Sequence, residues 1–255
     1  MYSHESEVSQ HPTLEKLIEI INDSHSHFPI RTDGKSVLEI KFAEGDKPVR
    51  KVVKRSSYRQ TYQLFSKKMG IEMSCESRIE FNGCYILETM PEIKSYRMQP
   101  AIIHYTMNGE KRRHVPDALI EFNDCKKCFV EFKDSNALDD EELQLRTELL
   151  SKHLPTHGYG YLVICDDQVD GISLANAKKL FHIEQTKIPE EVLMDIKDRL
   201  YCRNNLDISD FIRIFIKVPN IKSHLYQLII KGIIGFDREL ALTNKTEVYW
   251  KGIVK

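Results

Sequence analysis

Three ionisable residues interrupt two otherwise apolar segments, and their types are those that perform hydrolytic chemistry. The stretch RRHVPDALIEFNDCKKCFVEFKDSN, residues 112–136, has the pattern of a β-hairpin with apolar runs on either side of a polar turn. Asp117, Glu131 and Lys133 fall within this pattern. If the turn comprises residues 123–127, strand pairing places Asp117 opposite Lys133 and diagonal to Glu131, with all three side chains on one face of the sheet.

Two carboxylates on one face repel each other unless a cation or a proton lies between them. Oxygen ligands select a hard ion, so the pattern predicts Mg²⁺, with Mn²⁺ able to replace it, rather than zinc. Such an ion polarises a phosphoryl oxygen and acidifies a water, and Lys133 would orient that water or stabilise transition-state charge. The alternative is an Asp117–Lys133 salt bridge on an exposed hairpin face, with Glu131 solvated.

The elements around this hairpin alternate between helices and strands. Hydrophobic periodicity predicts a short helix over Leu14–Ile21 and a helix over about Ser77–Thr89, where Gly83 is unfavourable. A strand over Ala101–Tyr105 should end in a turn at Asn108 and Gly109. After the hairpin, DDEELQLRTELLSKHL predicts a helix with an acidic first turn, and GYGYLVICDD predicts a buried strand.

The last third of the chain has a different pattern, which predicts three helices followed by a two-stranded hairpin, as in a winged helix. The third helix should begin after Pro219 and stop at Gly232. Its predicted core side is Leu225, Leu228 and Ile229; the predicted exposed side is Lys222, His224, Gln227 and Lys231. We therefore expect two domains, residues 1–168 and 169–255.

Composition and charge exclude several classes of protein. A net charge of -1 rules out a uniformly basic protein, although eight Lys and Arg residues between Lys47 and Lys68 form a local basic cluster without acidic residues. No apolar run is long enough for a membrane span, and the amino terminus lacks the features of a signal peptide, so we expect a cytoplasmic protein with reduced cysteines.

The segment VPDALIEFNDCKKCFVEFK resembles the PD-(D/E)xK signature of restriction-endonuclease-like nucleases. Pro116 and Asp117 match the PD pair, and Glu131–Lys133 match the ExK motif. Upstream, an ESxxE segment at residues 76–80 and a Gln-Pro pair at residues 99–100 are similar to the amino-terminal nuclease domain of TnsA, the endonuclease subunit of Tn7-like transposons. The resemblance covers about residues 58–166 and, more weakly, the last third of the chain.

The resemblance implies an α/β fold: a restriction-endonuclease-like mixed sheet flanked by helices, with a carboxy-terminal winged-helix-like α+β domain. Carried over by position, it implies that Glu80 is a helix-borne metal-site carboxylate, Asp117 and Glu131 are the strand ligands, and Lys133 is the catalytic lysine. Glu80 has an alternative role, because Ser77-x-x-Glu80 is also a capping box. The candidate DNA-binding residues, including the phosphate-contacting group before Asp117, are Lys111, Arg112, Arg113, His114, Lys222 and Lys231.

The implied activity is Mg²⁺-dependent hydrolysis of double-stranded DNA at transposon ends, with cleavage of the non-transferred strands at the 5′ ends. The implied partners are a TnsB-like DDE transposase and a TnsC-like AAA+ ATPase, acting on the nucleoid of a bacterium. Two alternatives stay open: a stand-alone restriction or repair nuclease of the same fold, and a noncatalytic adaptor that bridges DNA and transposition proteins.

Overall fold

The computed structural model describes residues 16, 38–45, 48–49, 61–203 and 206–252. Apart from Lys16, the predicted helix Leu14–Ile21 lies outside the described residues. The same is true of the basic cluster, of which only Lys67 and Lys68 are described. None of the helices within the described ranges combines the length and the hydrophobicity needed to cross a membrane.

The chain forms two compact units. The first comprises residues up to Cys84 together with Ile93–Asp170, and the second comprises Tyr85–Glu92 together with the residues from Gly171. The segment Tyr85–Glu92 groups with the second unit because its side chains and carbonyls contact that unit. For example, the Tyr85 ring lies 5.0 Å from the Phe181 ring.

The helices and strands of the first unit follow the predicted order closely. They are β1 (Leu38–Phe42), β2 (Tyr62–Ser66), β3 (Ile71–Cys75), α1 (Arg78–Thr89, which continues into the second unit), β4 (Ile93–Met98), β5 (Ala101–Met107), β6 (Glu110–His114), β7 (Ala118–Phe122), β8 (Lys127–Lys133), α2 (Glu141–His153) and β9 (Tyr159–Cys165). Strands β2 and β3 pair only with each other among the described strands.

The central sheet has the strand order β4-β7-β8-β9. Strand β8 pairs antiparallel with β7 and parallel with β9, so the sheet is mixed. The residues of β8 from Cys128 to Phe132 are all buried, and because side chains alternate between faces, both faces of the sheet are covered at this strand. The ExK residues therefore belong to an interior strand, and the alternative of an exposed hairpin face is wrong for Glu131.

The register of the hairpin differs from the predicted one by two residues. Ala118 pairs with Val130, so continuation of the same register places Asp117 opposite Glu131 rather than opposite Lys133. The loop is shorter than predicted, because the Phe122 N–H donates to the Lys126 carbonyl at 2.9 Å. Cys125 closes the loop in the left-handed region, with φ of 69°. A register shift of two residues leaves every side chain on the same face of its strand, so the three motif residues still share a face.

A second sheet, of order β1-β5-β6, brings another strand end to the same place. Strands β5 and β6 form the predicted hairpin, in which Asn108 and Gly109 have φ values of 53° and 78°. Strand β6 ends at His114, three residues before Asp117. The Gln99 N–H donates to the Asp117 carbonyl at 2.8 Å, which ties the β4–β5 connection to the motif.

The second unit contains four helices and three short strands. They are α3 (Gly171–Phe181), α4 (Glu190–Arg203), β10 (Leu206–Asp207), α5 (Ile208–Ile214), α6 (Ile221–Ile230), β11 (Ile234–Gly235) and β12 (Glu247–Trp250), with strand order β10-β12-β11. Helix α3 was missing from the predicted pattern. The winged-helix arrangement of this unit stays a prediction.

Helix α6 begins and ends as predicted, but its predicted exposed side is wrong in two positions. His224 and Gln227 are 5% and 6% exposed. His224 Nδ1 lies 3.3 Å from the Thr186 hydroxyl, and Gln227 Nε2 donates to the Glu184 carbonyl at 3.1 Å. These contacts belong to the interior of the unit, so only Lys222 and Lys231 of the predicted four remain exposed. The predicted recognition surface is correspondingly smaller.

Gly83 marks the point where helix α1 packs most tightly on β8. A Cβ atom at this position would lie 2.5 Å from two ring carbons of Phe132, which is itself 4% exposed. The same residue that is unfavourable for the helix by propensity is therefore required by the packing of the helix on the strand.

We expect Gly83→Ala to lower the free energy of unfolding by about 1–3 kcal/mol, because overpacking outweighs the roughly 1 kcal/mol gain in helix propensity. Chemical denaturation measures this change. In the double variant with Phe132→Leu, the penalty for Gly83→Ala should shrink, and equal penalties in the two backgrounds would contradict the packing account.

Candidate active site

The motif residues meet in an open pocket of about 540 Å³ in the first unit, hereafter the active-site pocket. Its charged and titratable lining residues are Arg113, His114, Asp117, Glu131, Lys133 and Arg146. Strands β6, β7 and β8 bring five of these residues to one place, and helix α2 contributes the sixth. Asp117, Glu131 and Lys133, which residue type, a shared strand face and the motif resemblance single out in the sequence, therefore lie together.

Glu131 is the most enclosed carboxylate of the pocket, at 2% exposure, and three basic side chains surround it. Lys133 Nζ lies 2.6 Å from Glu131 Oε1, and an Arg146 guanidinium nitrogen lies 3.5 Å from the same oxygen. His114 Nε2 lies 2.7 Å from Oε2. Burial by itself would raise the pKa of Glu131, but the contacts with His114 and Lys133 outweigh burial and lower it.

Asp117 has the opposite electrostatic environment. Its Oδ2 accepts a hydrogen bond from the Phe132 N–H at 2.7 Å, which fixes the carboxyl group against β8. Burial raises the pKa of Asp117 well above its usual range, and the negative charges of Glu131 and Glu80 raise it further. Of the two carboxyl groups opposite each other in β7 and β8, Asp117 is therefore the one that holds a proton most readily.

Glu80 lies at the start of helix α1 and makes the contacts of a helix cap. The Glu80 N–H donates to the Ser77 hydroxyl at 3.1 Å, and Glu80 Oε2 accepts from the Glu76 N–H at 2.9 Å. Its side chain is 5% exposed. Burial raises the pKa of Glu80, although hydrogen bonds to its carboxyl group from the Glu76 N–H and the Ser77 side chain act to lower it. The capping role is thus real in this structure, while the charge of Glu80 also acts on Asp117.

The pocket supplies two carboxyl groups, rather than three, as ligands for a hard divalent cation. Asp117 and Glu131 present carboxylate oxygens from adjacent strands, and buried Glu131 Oε2 has no well-directed hydrogen bond although His114 is near. Across the part of the chain that the structure describes, no three acidic, His or Cys side chains are arranged to hold one metal ion. Glu80 is therefore near this pair without joining it.

The predicted DNA-binding residues occupy two separate regions. Lys111, Arg112 and Arg113 are exposed on β6, and Arg113 lines the active-site pocket. Arg112 pairs with Glu110 at 2.7 Å, so part of its charge is already neutralised. His114 points to Glu131 instead of extending the basic strand. Lys222 and Lys231 are exposed in the second unit.

Arg146 is the functional candidate that sequence reasoning missed. It lies on the buried side of α2 between Leu143 and Leu150, where an amphipathic helix normally carries an apolar residue. A cation at such a position, directly after a motif strand, was the available signal. That signal is weak in the sequence alone, because the same helix contains several other charged residues.

The Asp117→Asn variant should be more stable than the parent protein in metal-free buffer at neutral pH. A raised folded-state pKa means that the stability contributed by Asp117 is complete below its unfolded pKa of about 3.9 and is lost as pH rises through the higher folded value. Removal of the charge avoids this loss, which we expect to be about 1–3 kcal/mol. Denaturation with chelator from about pH 4 to neutrality measures the change. Equal pH profiles for parent and variant would contradict it, and Asp139→Asn, an exposed carboxyl, is the control.

The Glu131→Gln variant should change stability in the opposite direction. It leaves Lys133, His114 and Arg146 without their shared counter-charge, so the free energy of unfolding at neutral pH should fall by about 2–4 kcal/mol. The same denaturation experiment measures both variants. If Glu131→Gln proved as stable as the parent, the ion pairs of Glu131 would not contribute to the fold.

Comparisons with known proteins agree with the motif at the centre of this site. Residues 90–165 match the family model described as "TnsA-like endonuclease N terminal". The matched segment contains Asp117, Glu131, Lys133 and Arg146, whereas Glu80 lies outside it. No curated protein matches the sequence.

Among solved structures, protein VC1899 from Vibrio cholerae is similar over 60% of this chain and 33% of its own chain, with 12% sequence identity and a TM-score of 0.26. This chain therefore spans about a third of that protein, and a superposition this partial identifies neither fold nor function. The mixed sheet and its flanking helices are compatible with a restriction-endonuclease-like fold. The family match agrees with the resemblance inferred from the motifs: residues 90–165, about 30% of the chain, are similar to a TnsA-like endonuclease N-terminal domain.

Proposed function

We propose that this chain is a divalent-metal-dependent DNA endonuclease of a Tn7-like transposition machinery. The observation that carries the proposal is the convergence of Asp117, Glu131 and Lys133 in one open pocket, inside the segment that matches the endonuclease family. Carboxylates and a lysine in this arrangement are suited to hydrolysis of a phosphodiester, because they supply oxygen ligands and a cation at the same point.

Asp117 and Glu131 are the residues that would hold the metal ion, with Mg²⁺ as the expected ion and Mn²⁺ able to replace it. When bound, the ion supplies Lewis-acid stabilisation of a phosphoryl oxygen and lowers the pKa of a water. Glu80 is proposed as an additional carboxylate of the site, since its charge acts on Asp117. Glu80 Oε2 accepts a bond from the Glu76 N–H, so an ion would be contacted most simply by the other carboxylate oxygen, Oε1.

Lys133 is proposed as the catalytic lysine. Its ammonium group lies 2.6 Å from Glu131, and the side chain is 29% exposed, so it borders both the carboxylate pair and the space for substrate. From this position Lys133 can orient the attacking water or stabilise the negative charge that builds up on the phosphorus centre. An ammonium group has three donors, so binding to Glu131 does not exhaust it.

The strand specificity and the partners of the proposed activity come from the family resemblance. We propose that the protein cuts the non-transferred strands at the 5′ ends of a Tn7-like element, with a TnsB-like transposase cutting the 3′ ends and a TnsC-like ATPase regulating both. Lys111, Arg112 and Arg113 would contact the flanking phosphates, because they form an exposed basic strand that runs into the pocket. Lys222 and Lys231 are proposed as a second DNA contact.

A noncatalytic adaptor is the second candidate, and one observation favours it. Within the described residues no three-ligand metal cluster exists, and Glu80 is engaged as a helix cap. An adaptor, however, has no need to keep two repelling carboxyl groups opposite each other inside a sheet, which is costly unless they bind a cation.

The decisive experiment is a reconstituted reaction with element ends, both partner proteins and Mg²⁺. We expect Asp117→Ala and Lys133→Ala to lower 5′-end cleavage by about 10²–10⁴-fold while binding to the partners persists. Asp139→Ala is the matched control. Unchanged 5′-end cleavage in both active-site variants would favour the adaptor, and efficient cleavage of DNA by the protein alone would favour a stand-alone nuclease.

A further inference from the structure

Arg146 reaches the active-site pocket from a different element than the motif residues. It extends from the buried side of α2, which packs on the sheets through Leu150, so its backbone position is set by the core of the first unit. The side chain is 16% exposed, and this exposed part lines the pocket together with Asp117 and Glu131. A guanidinium held by a rigid element is well placed to receive a ligand.

The contacts that Arg146 makes are too weak to explain its presence as a counter-ion alone. Its distance to Glu131 Oε1 is 3.5 Å, and Lys133 Nζ already binds the same oxygen at 2.6 Å. Arg146 also interacts with the hydroxyls of Tyr105 and Tyr161, which are neutral groups, yet its buried Nε atom lacks a well-directed hydrogen bond. An arginine that served only Glu131 would be expected to form a close forked pair with the carboxylate.

The charges of the pocket leave a positive surplus. Arg113, Lys133 and Arg146 carry positive charge, and the acidic lining residues are only Asp117 and Glu131, of which Asp117 holds a proton more readily. His114 adds to the surplus when protonated, and a divalent cation would add to it further. A pocket with these charges, open to solvent and large enough for a phosphodiester group, attracts an anion.

The geometry of a guanidinium group selects the kind of anion. Its parallel N–H donors match two oxygens on one centre, as in a phosphate, and remain charged at any physiological pH. Of the three pocket cations, Lys133 is bound closely to Glu131, and Arg113 lies on the exposed edge strand. Arg146 is the one that is both enclosed and incompletely bonded.

We propose that Arg146 binds the DNA phosphate that is cleaved, an inference that rests on the proposed nuclease function and goes beyond the PD-(D/E)xK residues. Arg146 contacts the non-bridging phosphate oxygens from the side of α2, while Asp117, Glu131 and Lys133 act from the strands. This arrangement fixes the phosphate between two independent elements of the fold. Loss of Arg146 should therefore weaken the binding of DNA more than the binding of the metal ion.

The test uses three variants of the full-length protein. Arg146→Gln removes the charge and keeps most of the side chain, Arg146→Lys restores the charge without the forked donors, and Lys152→Gln removes an exposed charge from the same helix. Thermal unfolding first establishes that all three variants fold. Binding to a fluorescent duplex that carries an element end is then measured over a range of salt concentrations, with Ca²⁺ in place of Mg²⁺.

For Arg146→Gln we expect about 5–10-fold weaker binding of the duplex, and a slope of log Kd against log salt that falls by about 0.9, the value for one lost phosphate contact. Arg146→Lys should restore the slope but not the rate of cleavage in the reconstituted reaction. Lys152→Gln should match the parent protein. Binding of Mn²⁺ alone to Arg146→Gln should be unchanged or tighter, because a neighbouring positive charge is removed.

Two results would overturn the inference, and both can be distinguished from a result that overturns the proposed nuclease function. If Arg146→Gln keeps the parent salt slope and cleavage rate, Arg146 does not bind the phosphate. If the variant binds Mn²⁺ more weakly and DNA with an unchanged slope, Arg146 only positions Glu131. In both cases the parent protein still cleaves and Asp117→Ala does not, whereas a parent protein that never cleaves overturns both proposals.

Discussion

The register of β7 and β8 places the carboxyl groups of Asp117 and Glu131 opposite each other in the wall of the active-site pocket, and the other features of the site follow from this constraint. Glu131 lies on the central strand and is 2% exposed, so water cannot screen its charge. Asp117 is fixed against the same strand by the Phe132 N–H. Without compensation, two such charges would cost several kcal/mol.

The fold compensates the two carboxyl groups by different means. Glu131 is surrounded by Lys133, His114 and Arg146, whereas Asp117 has its pKa raised by burial and by its acidic neighbours. The basic side chains thus offset the charge of Glu131, and the raised pKa of Asp117 favours the protonated form of that carboxyl group. A divalent ion between the two groups would replace the proton and compete with the basic side chains for Glu131. Lys133 and Arg146 would then be less engaged by Glu131 and more available to a phosphate.

The chemistry of the site could be predicted from the sequence better than its geometry. Residue types and the alternation of faces were sufficient to bring Asp117, Glu131 and Lys133 together, because a register error of two residues preserves the face. The register itself depends on the left-handed conformation of Cys125, a residue type that does not favour it. Local patterns also cannot show that β8 is a central strand, and therefore that Glu131 is buried.

Tertiary packing accounts for the remaining differences. From the sequence, Gly83 is unfavourable for a helix. In the structure, the ring of Phe132 packs so closely against Gly83 that a larger residue does not fit. In the sequence, Arg146 is one of several charged residues of α2, and nothing distinguishes it from the others. His224 and Gln227 are predicted to lie on the exposed side of α6, but the fold buries both. Each of these depends on a partner distant in sequence.

The most direct test of the account is a crystal structure of the protein grown with Mn²⁺ and measured at a wavelength where manganese scatters anomalously. We predict an anomalous peak between the carboxylates of Asp117 and Glu131, with Lys133 displaced from its 2.6 Å contact with Glu131. If the peak is absent while Asp117 and Glu131 keep the metal-free arrangement, these carboxyl groups do not share a cation, and the central claim is wrong.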